Sequence, residues 1–347
     1  MDPLSQGVVG MSASQTLSTK KDMVAASFLG FFSGMAADLD IVIRSPDDPL
    51  LFLEFHRQFT HSIIFMPVGG LICATIFWFL LHYIFKNHAL TFGRTYLYST
   101  AGYVTHGLLD SCTSYGTQLF WPFSVERIAW NNVSIIDPLF TLPLLAIALF
   151  AMTKRSQYLG YLGAAFAISY LSLGVIQEHR IKTVAKTLAD GRGHDAINLN
   201  VKPSFANLIV WKSIYEHQGR YYVDAIRIIK STRIYQGDST LKLDVGRDLA
   251  WLDKASQQAI DIERFRWFSA DYLALDSNNP YRIIDMRYSI LPNRLDGLWG
   301  IELSPNASQT DHVTWTANRN ADNRTENIYT LWEMIKGQGG RRLPSKY

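Results

Sequence analysis

Long apolar stretches separated by short charged clusters make up the first half of the chain. The strongest of them, Ser62 to Phe85, has 24 residues and contains no Asp, Glu, Lys or Arg. A helix rises about 1.5 Å per residue, so this stretch is long enough to cross a hydrocarbon core of about 30 Å. Ile135 to Met152 and Gln157 to Ile176 predict two further membrane spans. Three weaker stretches, whose Gly and Ala residues permit close helix contact, predict shorter helices in the same bundle: Pro3 to Leu17, Met23 to Ala37 and Thr95 to Leu109.

The second half of the chain differs, because charged residues recur there every few positions. We therefore expect a membrane-embedded domain over residues 1–180 and a soluble domain over residues 181–347. Mixed strand and helix signals favour an α+β class for the soluble domain. Its strands are predicted at 205–215, 219–229 and 281–290, and its helices at 248–265 and 325–335. The predicted fold is a polytopic α-helical membrane bundle of about six helices, followed by this soluble α+β domain.

Basic residues in the short loops predict the direction of the spans, because Lys and Arg concentrate on the cytoplasmic side. They occur as three pairs, each in one loop: Lys20 with Lys21, Lys86 with Arg94, and Lys154 with Arg155. Alternating helices joined by these loops place residues 38–61, 111–134 and everything after 178 on the outer face. We therefore expect a multi-pass protein of the bacterial inner membrane with a periplasmic C-terminal domain.

Composition removes several classes of function. A net charge of +3, without any Lys- or Arg-rich run with interleaved aromatic residues, gives no reason to expect nucleic acid as a partner. Cys73 and Cys112 do not form a CxxC pair, so neither a disulfide framework nor a zinc ribbon is predicted. The motifs GxSxG, HExxH and GxxxxGK[ST] do not occur.

Ionisable residues unusual for a membrane domain map to one predicted face. His106 and Asp110 are four residues apart on a predicted helix, so both side chains point the same way and can share one ion. The alternative is a polar contact between helices, although ionisable groups near membrane depth are costly and usually functional. The segment from Asp38 to His61 adds two aspartates and two histidines on the same outer face. Imidazole with carboxylate favours a divalent metal, zinc first, with manganese or iron as alternatives.

The sequence at this point resembles a known family. The segments MDPLSQGVVG, DLD, HRQFTHS and THGLLDSCTSYG, followed by LFWPFS, occur in the order found in the YdjM-like family of inner-membrane proteins described as metal-dependent hydrolases. The resemblance covers roughly the first 180 residues. Gln6 stands where some members carry a histidine, which bears on the number of ions bound. The metal ligands that the resemblance implies are Asp38, Asp40, His56, His61, His106 and Asp110.

These observations together predict a membrane-bound metal-dependent hydrolase. A site at the lipid boundary suggests a lipid-borne or envelope substrate, with a phosphoester as the first choice and membrane lipids as partners. Asp40 or Asp38 is the predicted general base, and Arg57 either faces a negative charge on the substrate or contacts a helix end or lipid headgroup. A transporter or ion channel and a noncatalytic envelope scaffold with a structural metal are the alternatives. The role of Asp137 and the oligomeric state stay open.

Overall fold

A computed structural model describes residues 1–86, 88–317 and 324–343 of the chain. They form two compact units, and each unit is made of several separate stretches of the chain. The chain leaves the first unit after Ile43, re-enters it at Phe55 and leaves it again after Ile176. The first unit comprises Met1–Ile43, Phe55–Ile176 and Phe205–Asn207, and the second comprises Arg44–Glu54, Gln177–Ser204 and the described residues from Leu208 on.

Helices account for the first half of the chain, as predicted. Pro3 to Leu17 forms a helix with the predicted bounds, and the last helix of this half, Gln157–Gly191, is unbroken over 35 residues. The elements are α1 (Pro3–Leu17), α2 (Met23–Met35), a 3₁₀ segment (Ala36–Val42), α3 (Leu51–Phe55), a 3₁₀ turn (Phe59–His61), α4 (Met66–Phe79) with a π-helical extension (Leu80–Ile84), α5 (Phe92–Ser111), α6 (Pro138–Lys154) and α7 (Gln157–Gly191).

Three of these helical segments are long and apolar enough to cross a membrane: Met23–Val42, Met66–Ile84 and Gln157–Gly191. The helix α6 is apolar but shorter, with 17 residues. The predicted count of about six spans is therefore not confirmed for the described residues. α1 is a short helix with polar residues buried along it, among them Gln6 and Gln15, so it lies against protein along much of its length.

Glycines let α1, α2 and α5 approach each other closely. A Cβ atom on Gly30 of α2 would collide with the carbonyl oxygen of Gly10 in α1, and one on Gly102 of α5 would collide with the backbone of Gly30. Gly34, one turn beyond Gly30, likewise meets the backbone of α1. These contacts bring the C-terminal end of α2 beside the last two turns of α5, where His106 lies.

We expect Gly102→Leu to destabilise the first unit, because the new side chain must push α5 away from α2. Overpacking of this kind costs about 1–3 kcal/mol, which corresponds to a fall in Tm of roughly 2–10 °C. Gly93→Leu is the matched control, since no atom lies within 4 Å of a Cβ built at Gly93 on the same helix. Thermal unfolding in detergent measures both, and equal Tm values for the two variants would contradict close packing at Gly102.

The second unit contains two antiparallel sheets, in the orders β1-β2-β3-β4-β9 and β5-β6-β7-β8. Strand and helix bounds are β1 (Ile197–Pro203), β2 (Val210–His217), β3 (Arg220–Ile228), β4 (Thr232–Leu241), α8 (Val245–Asp248), α9 (Gln257–Phe268), β5 (Leu273–Asp276), β6 (Asn279–Asp285), β7 (Trp299–Glu302), β8 (Thr314–Ala317), α10 (Arg324–Lys336) and β9 (Arg341–Arg342). The α+β class of this unit follows from these elements.

The predicted strands 205–215 and 219–229 overlap β2 and β3, which pair antiparallel with His217 opposite Arg220. Gln218 and Gly219 between them have φ values of 48° and 68°, the left-handed conformation of a tight hairpin turn. The prediction of one helix over 248–265 is wrong in its first half. The helix α9 starts only after Ser256, whose hydroxyl accepts a hydrogen bond from the backbone N–H of Ala259 and so caps it.

Candidate metal centre

The structure brings the six predicted ligands together from three separate stretches of the first unit. Asp38 and Asp40 lie on the 3₁₀ segment that continues α2, and His56 and His61 lie between α3 and α4. The other two, His106 and Asp110, lie on the last two turns of α5. Two groups of side chains result, each with its donor atoms within 4.8 Å of one another: Asp38, His61, His106 and Asp110, and Asp38, Asp40 and His56.

The four-residue group has the spacing of a tetrahedral ion site. Asp38 Oδ1 lies 3.4 Å from His61 Nε2 and 3.3 Å from His106 Nε2. Asp110 Oδ2 lies 3.4 Å from His61 Nε2 and 3.8 Å from His106 Nε2. A tetrahedral zinc ion with ligands at about 2.0–2.1 Å separates neighbouring ligand atoms by about 3.3–3.4 Å. A cation therefore fits between these atoms with little movement of the side chains.

Three of the four side chains of this group are buried, and their facing atoms lack hydrogen bonds to the described residues. The side chains of His61, His106 and Asp110 are 0% exposed. Both Nε2 atoms and Asp110 Oδ2 make no hydrogen bond to any described residue. Buried polar atoms without partners are rare because each costs free energy. Three such atoms beside Asp38 form a group that could hold a metal ion.

Hydrogen bonds on the far side of each imidazole orient it toward the centre. His106 Nδ1 lies 2.6 Å from the carbonyl oxygen of Gly34, which can only accept, so Nδ1 carries a proton and, in the neutral imidazole, the lone pair is on Nε2. His61 Nδ1 lies 2.9 Å from Thr60 Oγ1 and 3.3 Å from Asp40 Oδ2. Ligand histidines in metal sites are held in this way by a carbonyl or a carboxylate.

The local charge also favours a cation. Burial opposes a positive charge on His61, but the carboxylates of Asp110, Asp38 and Asp40 outweigh burial and raise the pKa of His61 to about 10. The position between these carboxylates thus has a strongly negative potential. A divalent cation in the centre would satisfy the same carboxylates in place of the proton.

The three-residue group lies on the more accessible side of the centre. Its member His56 places Nδ1 2.8 Å from Asp40 Oδ1. The side chains of His56 and Asp38 are 16% and 26% exposed. Asp38 belongs to both groups, so one carboxylate joins the buried set of donors to the accessible set.

Arg57 lies within the centre and has an unusual backbone. Its φ of 65° is left-handed, a conformation that costs a non-glycine residue roughly 1–2 kcal/mol. In this conformation the Arg57 N–H donates to Asp40 Oδ2 at 3.1 Å and Nη1 donates to Thr113 Oγ1 at 3.1 Å. Nε lies 2.9 Å from Asp110 Oδ2, as an ion pair without hydrogen-bond alignment. The role of Arg57 in catalysis stays a prediction.

Gln6 and Asp137, whose roles the sequence left open, differ in position. Gln6 Nε2 donates to Asp110 Oδ1 at 2.7 Å, and its Oε1 is buried without a hydrogen bond in the described structure. The α-amino group of Met1 contacts the same carboxylate oxygen. Asp137 instead caps α6 by accepting from the backbone N–H of Leu139 at 3.1 Å, and it also accepts from the Tyr170 hydroxyl. We therefore assign Gln6 to the centre and Asp137 to the helix terminus.

Apolar helices long enough to cross a bilayer, together with a buried cluster of imidazoles and carboxylates, define a helical membrane protein with a candidate metal centre. A family model described as YdjM inner membrane protein matches residues 1–181, more than half of the chain. The chain therefore belongs to the YdjM family of inner membrane proteins, and the resemblance seen in its motifs is confirmed. The matched region contains all six predicted ligands.

Two relatives are similar to parts of the chain. Uncharacterized protein YfhP of Bacillus subtilis (strain 168) is 30% identical over 142 residues, which cover 41% of this chain and 38% of YfhP. Inner membrane protein YbcI of Escherichia coli (strain K12) is 34% identical over 110 residues, which cover 27% of this chain and 58% of YbcI. The matches thus span less than two thirds of either relative. No solved structure matches the chain.

Replacing either buried histidine should remove a ligand from the four-residue group. We expect His61→Ala and His106→Ala each to lower the metal content of purified protein, measured by mass spectrometry of the bound elements, and to lower metal affinity at least about 10-fold. His179→Ala is the control, because His179 is exposed on α7 and outside both groups. Unchanged metal content in both site variants would argue against the centre.

Proposed function

We propose that this protein is a membrane-bound metal-dependent hydrolase that acts on a lipid-borne or envelope phosphoester. The observation that carries the proposal is the convergence of His61 Nε2, His106 Nε2 and Asp110 Oδ2, buried and without hydrogen bonds, on one position beside Asp38. Two imidazoles and two carboxylates form a donor set that suits zinc best and also accepts manganese or iron. When bound there, a divalent ion acts as a Lewis acid that activates water and polarises the bond under attack.

The two groups of donors have different tasks in this proposal. Four protein ligands leave no free position around a tetrahedral ion, whereas a catalytic ion needs one. The accessible group, formed by Asp38, Asp40 and His56, offers three ligands and so leaves a position for water. Asp38 belongs to both groups, so we propose that these residues would hold two ions, which would supply positive charge to the attacking and the leaving oxygen of a phosphoester.

Asp40 and Arg57 are the proposed catalytic side chains. Asp40 is the proposed general base, and its Oδ1 is paired with the partly exposed His56 on the accessible side of the centre. Asp40 Oδ2 accepts from Thr60 at 2.7 Å and from the Arg57 N–H, which fix its orientation. The guanidinium of Arg57 supplies a fixed positive charge beside the centre and would stabilise negative charge on a phosphoryl oxygen.

The surface next to the centre supports a lipid-borne substrate. The segment that follows α5 exposes Phe123 by 84%, Val125 by 63% and Trp130 by 49%. Aromatic and apolar side chains exposed next to apolar helices are typical of the membrane–water interface. Headgroup phosphoesters lie at the same interface, which makes them the proposed substrates.

A noncatalytic protein with a structural metal is the second candidate function. The closed set of four buried ligands favours it, because structural zinc sites are four-coordinate. The two functions differ in what the accessible group does, since a structural metal requires only the buried group.

Activity with and without metal separates these two functions. We expect zinc-loaded protein to hydrolyse a member of a panel of phospholipids and soluble phosphoesters, and a chelator to abolish the activity until zinc is restored. His56→Ala should lower kcat at least about 100-fold and leave the ion of the buried group in place, because His56 belongs only to the accessible group. Metal-loaded protein without turnover on any substrate, or full activity of His56→Ala, would favour the structural role.

A further inference from the structure

We propose that Arg264 of the second unit is a positioning residue for the accessible group of metal ligands. This inference rests on the proposed metal centre. Residues Arg44–Glu54 belong to the second unit, although the chain on both sides of them belongs to the first. Asp40 lies just before this loop and His56 just after it, so the loop joins two ligands of the accessible group.

Arg264, on α9, holds the loop through ion pairs to both of its halves. Its Nη1 and Nη2 donate to the two carboxylate oxygens of Asp48 at 2.9 and 2.8 Å. Its Nε donates to Glu54 Oε1 at 2.6 Å. Nη1 also donates to Asp261 Oδ1 on α9 at 2.9 Å. A planar guanidinium can form this bidentate arrangement and a lysine ammonium cannot.

Apolar contacts hold the same loop from another direction. The ring of Phe52 meets Trp315 edge to face, with 5.2 Å between ring centroids, and Trp315 in turn meets Phe265 of α9 at 6.0 Å. His312 Nδ1 lies 2.8 Å from Asp261 Oδ2, beside the ion pairs of Arg264. Asp48, Glu54 and His312 all lie in or beside this cluster, with side chains that are 23%, 37% and 25% exposed.

The charges explain why Arg264 controls the position of the loop. Burial opposes the charge of Arg264, but hydrogen bonds to Asp48, Glu54 and Asp261 outweigh burial and raise its pKa. One cation thus holds three carboxylates within contact distance. Without the guanidinium these carboxylates repel one another, and two of them, Asp48 and Glu54, belong to the loop.

The effect should be specific to one group of ligands. Asp40 is four residues from the first residue of the loop, Arg44, and His56 is two residues beyond its last residue, Glu54. Metal sites tolerate ligand displacements of only about 0.2 Å, so release of the loop lowers the affinity of the accessible group. His106 and Asp110 of the buried group are placed instead by α5, which does not adjoin the loop in sequence.

Zinc binding to full-length Arg264→Ala protein tests the proposal. Competition with a chromophoric chelator should show a 10–100-fold weaker second zinc ion, an unchanged tightly held ion and reduced hydrolysis. Arg266→Ala is the matched control, because Arg266 on the same helix pairs with Glu263 and Asp271 and does not contact the loop. That variant should bind both ions as the wild type does.

The double variant Asp48→Asn/Glu54→Gln removes the two loop carboxylates that pair with Arg264, and it serves as the test if Arg264→Ala does not fold. We expect the double variant to bind the second zinc ion as weakly as Arg264→Ala. If Arg264→Ala binds zinc with wild-type affinity, the positioning role of Arg264 is wrong, and the hydrolase proposal still stands. The same conclusion follows from wild-type affinity in the double variant if Arg264→Ala does not fold. If the wild-type protein binds zinc but hydrolyses no substrate, only the hydrolase proposal is wrong, and the zinc affinities of the variants still test the role of Arg264.

Discussion

The buried carboxylate of Asp110 is the charge on which the arrangement of the first unit depends. A carboxylate removed from water is costly unless cations and donors surround it. Gln6 and Arg57 reach it from two other stretches of the chain, the two ligand histidines lie beside it, and its second oxygen still lacks a hydrogen bond. The Asp110 carboxylate thus belongs to a group of side chains that could hold a metal ion.

Backbone contacts, more than the ligands themselves, give the centre its geometry. Glycine contacts let α2 approach α5 so closely that the Gly34 carbonyl meets His106 Nδ1. The Asp40 carboxylate likewise faces the Nδ1 atom of His61. Both imidazoles are therefore oriented before any ion binds, which limits the entropy lost on binding. The left-handed backbone of Arg57 belongs to the same arrangement, because it turns the N–H toward Asp40.

Much of this arrangement could be predicted because it depends on local patterns. A stretch of apolar and small residues predicted the bounds of α1, and the spacing of His106 and Asp110 placed both on one face of α5. Contacts with residues of the second half of the chain could not be predicted. Asp48 lies between two prolines in a polar turn, and nothing nearby signals Arg264, which follows 216 residues later. The interruption between α8 and α9 was missed because apolar periodicity continues across it and only the Ser256 cap marks the new helix. The Gly34 carbonyl carries no side-chain signal at all.

The zinc K-edge X-ray absorption spectrum of the metal-loaded full-length protein tests the central claim most directly. The structure predicts only nitrogen and oxygen neighbours at about 2.0–2.1 Å, with the outer-shell scattering of histidine imidazoles. A sulfur shell at about 2.3 Å, or the spectrum of a hydrated ion without imidazole, would contradict the assignment of His61, His106, Asp38 and Asp110 as ligands.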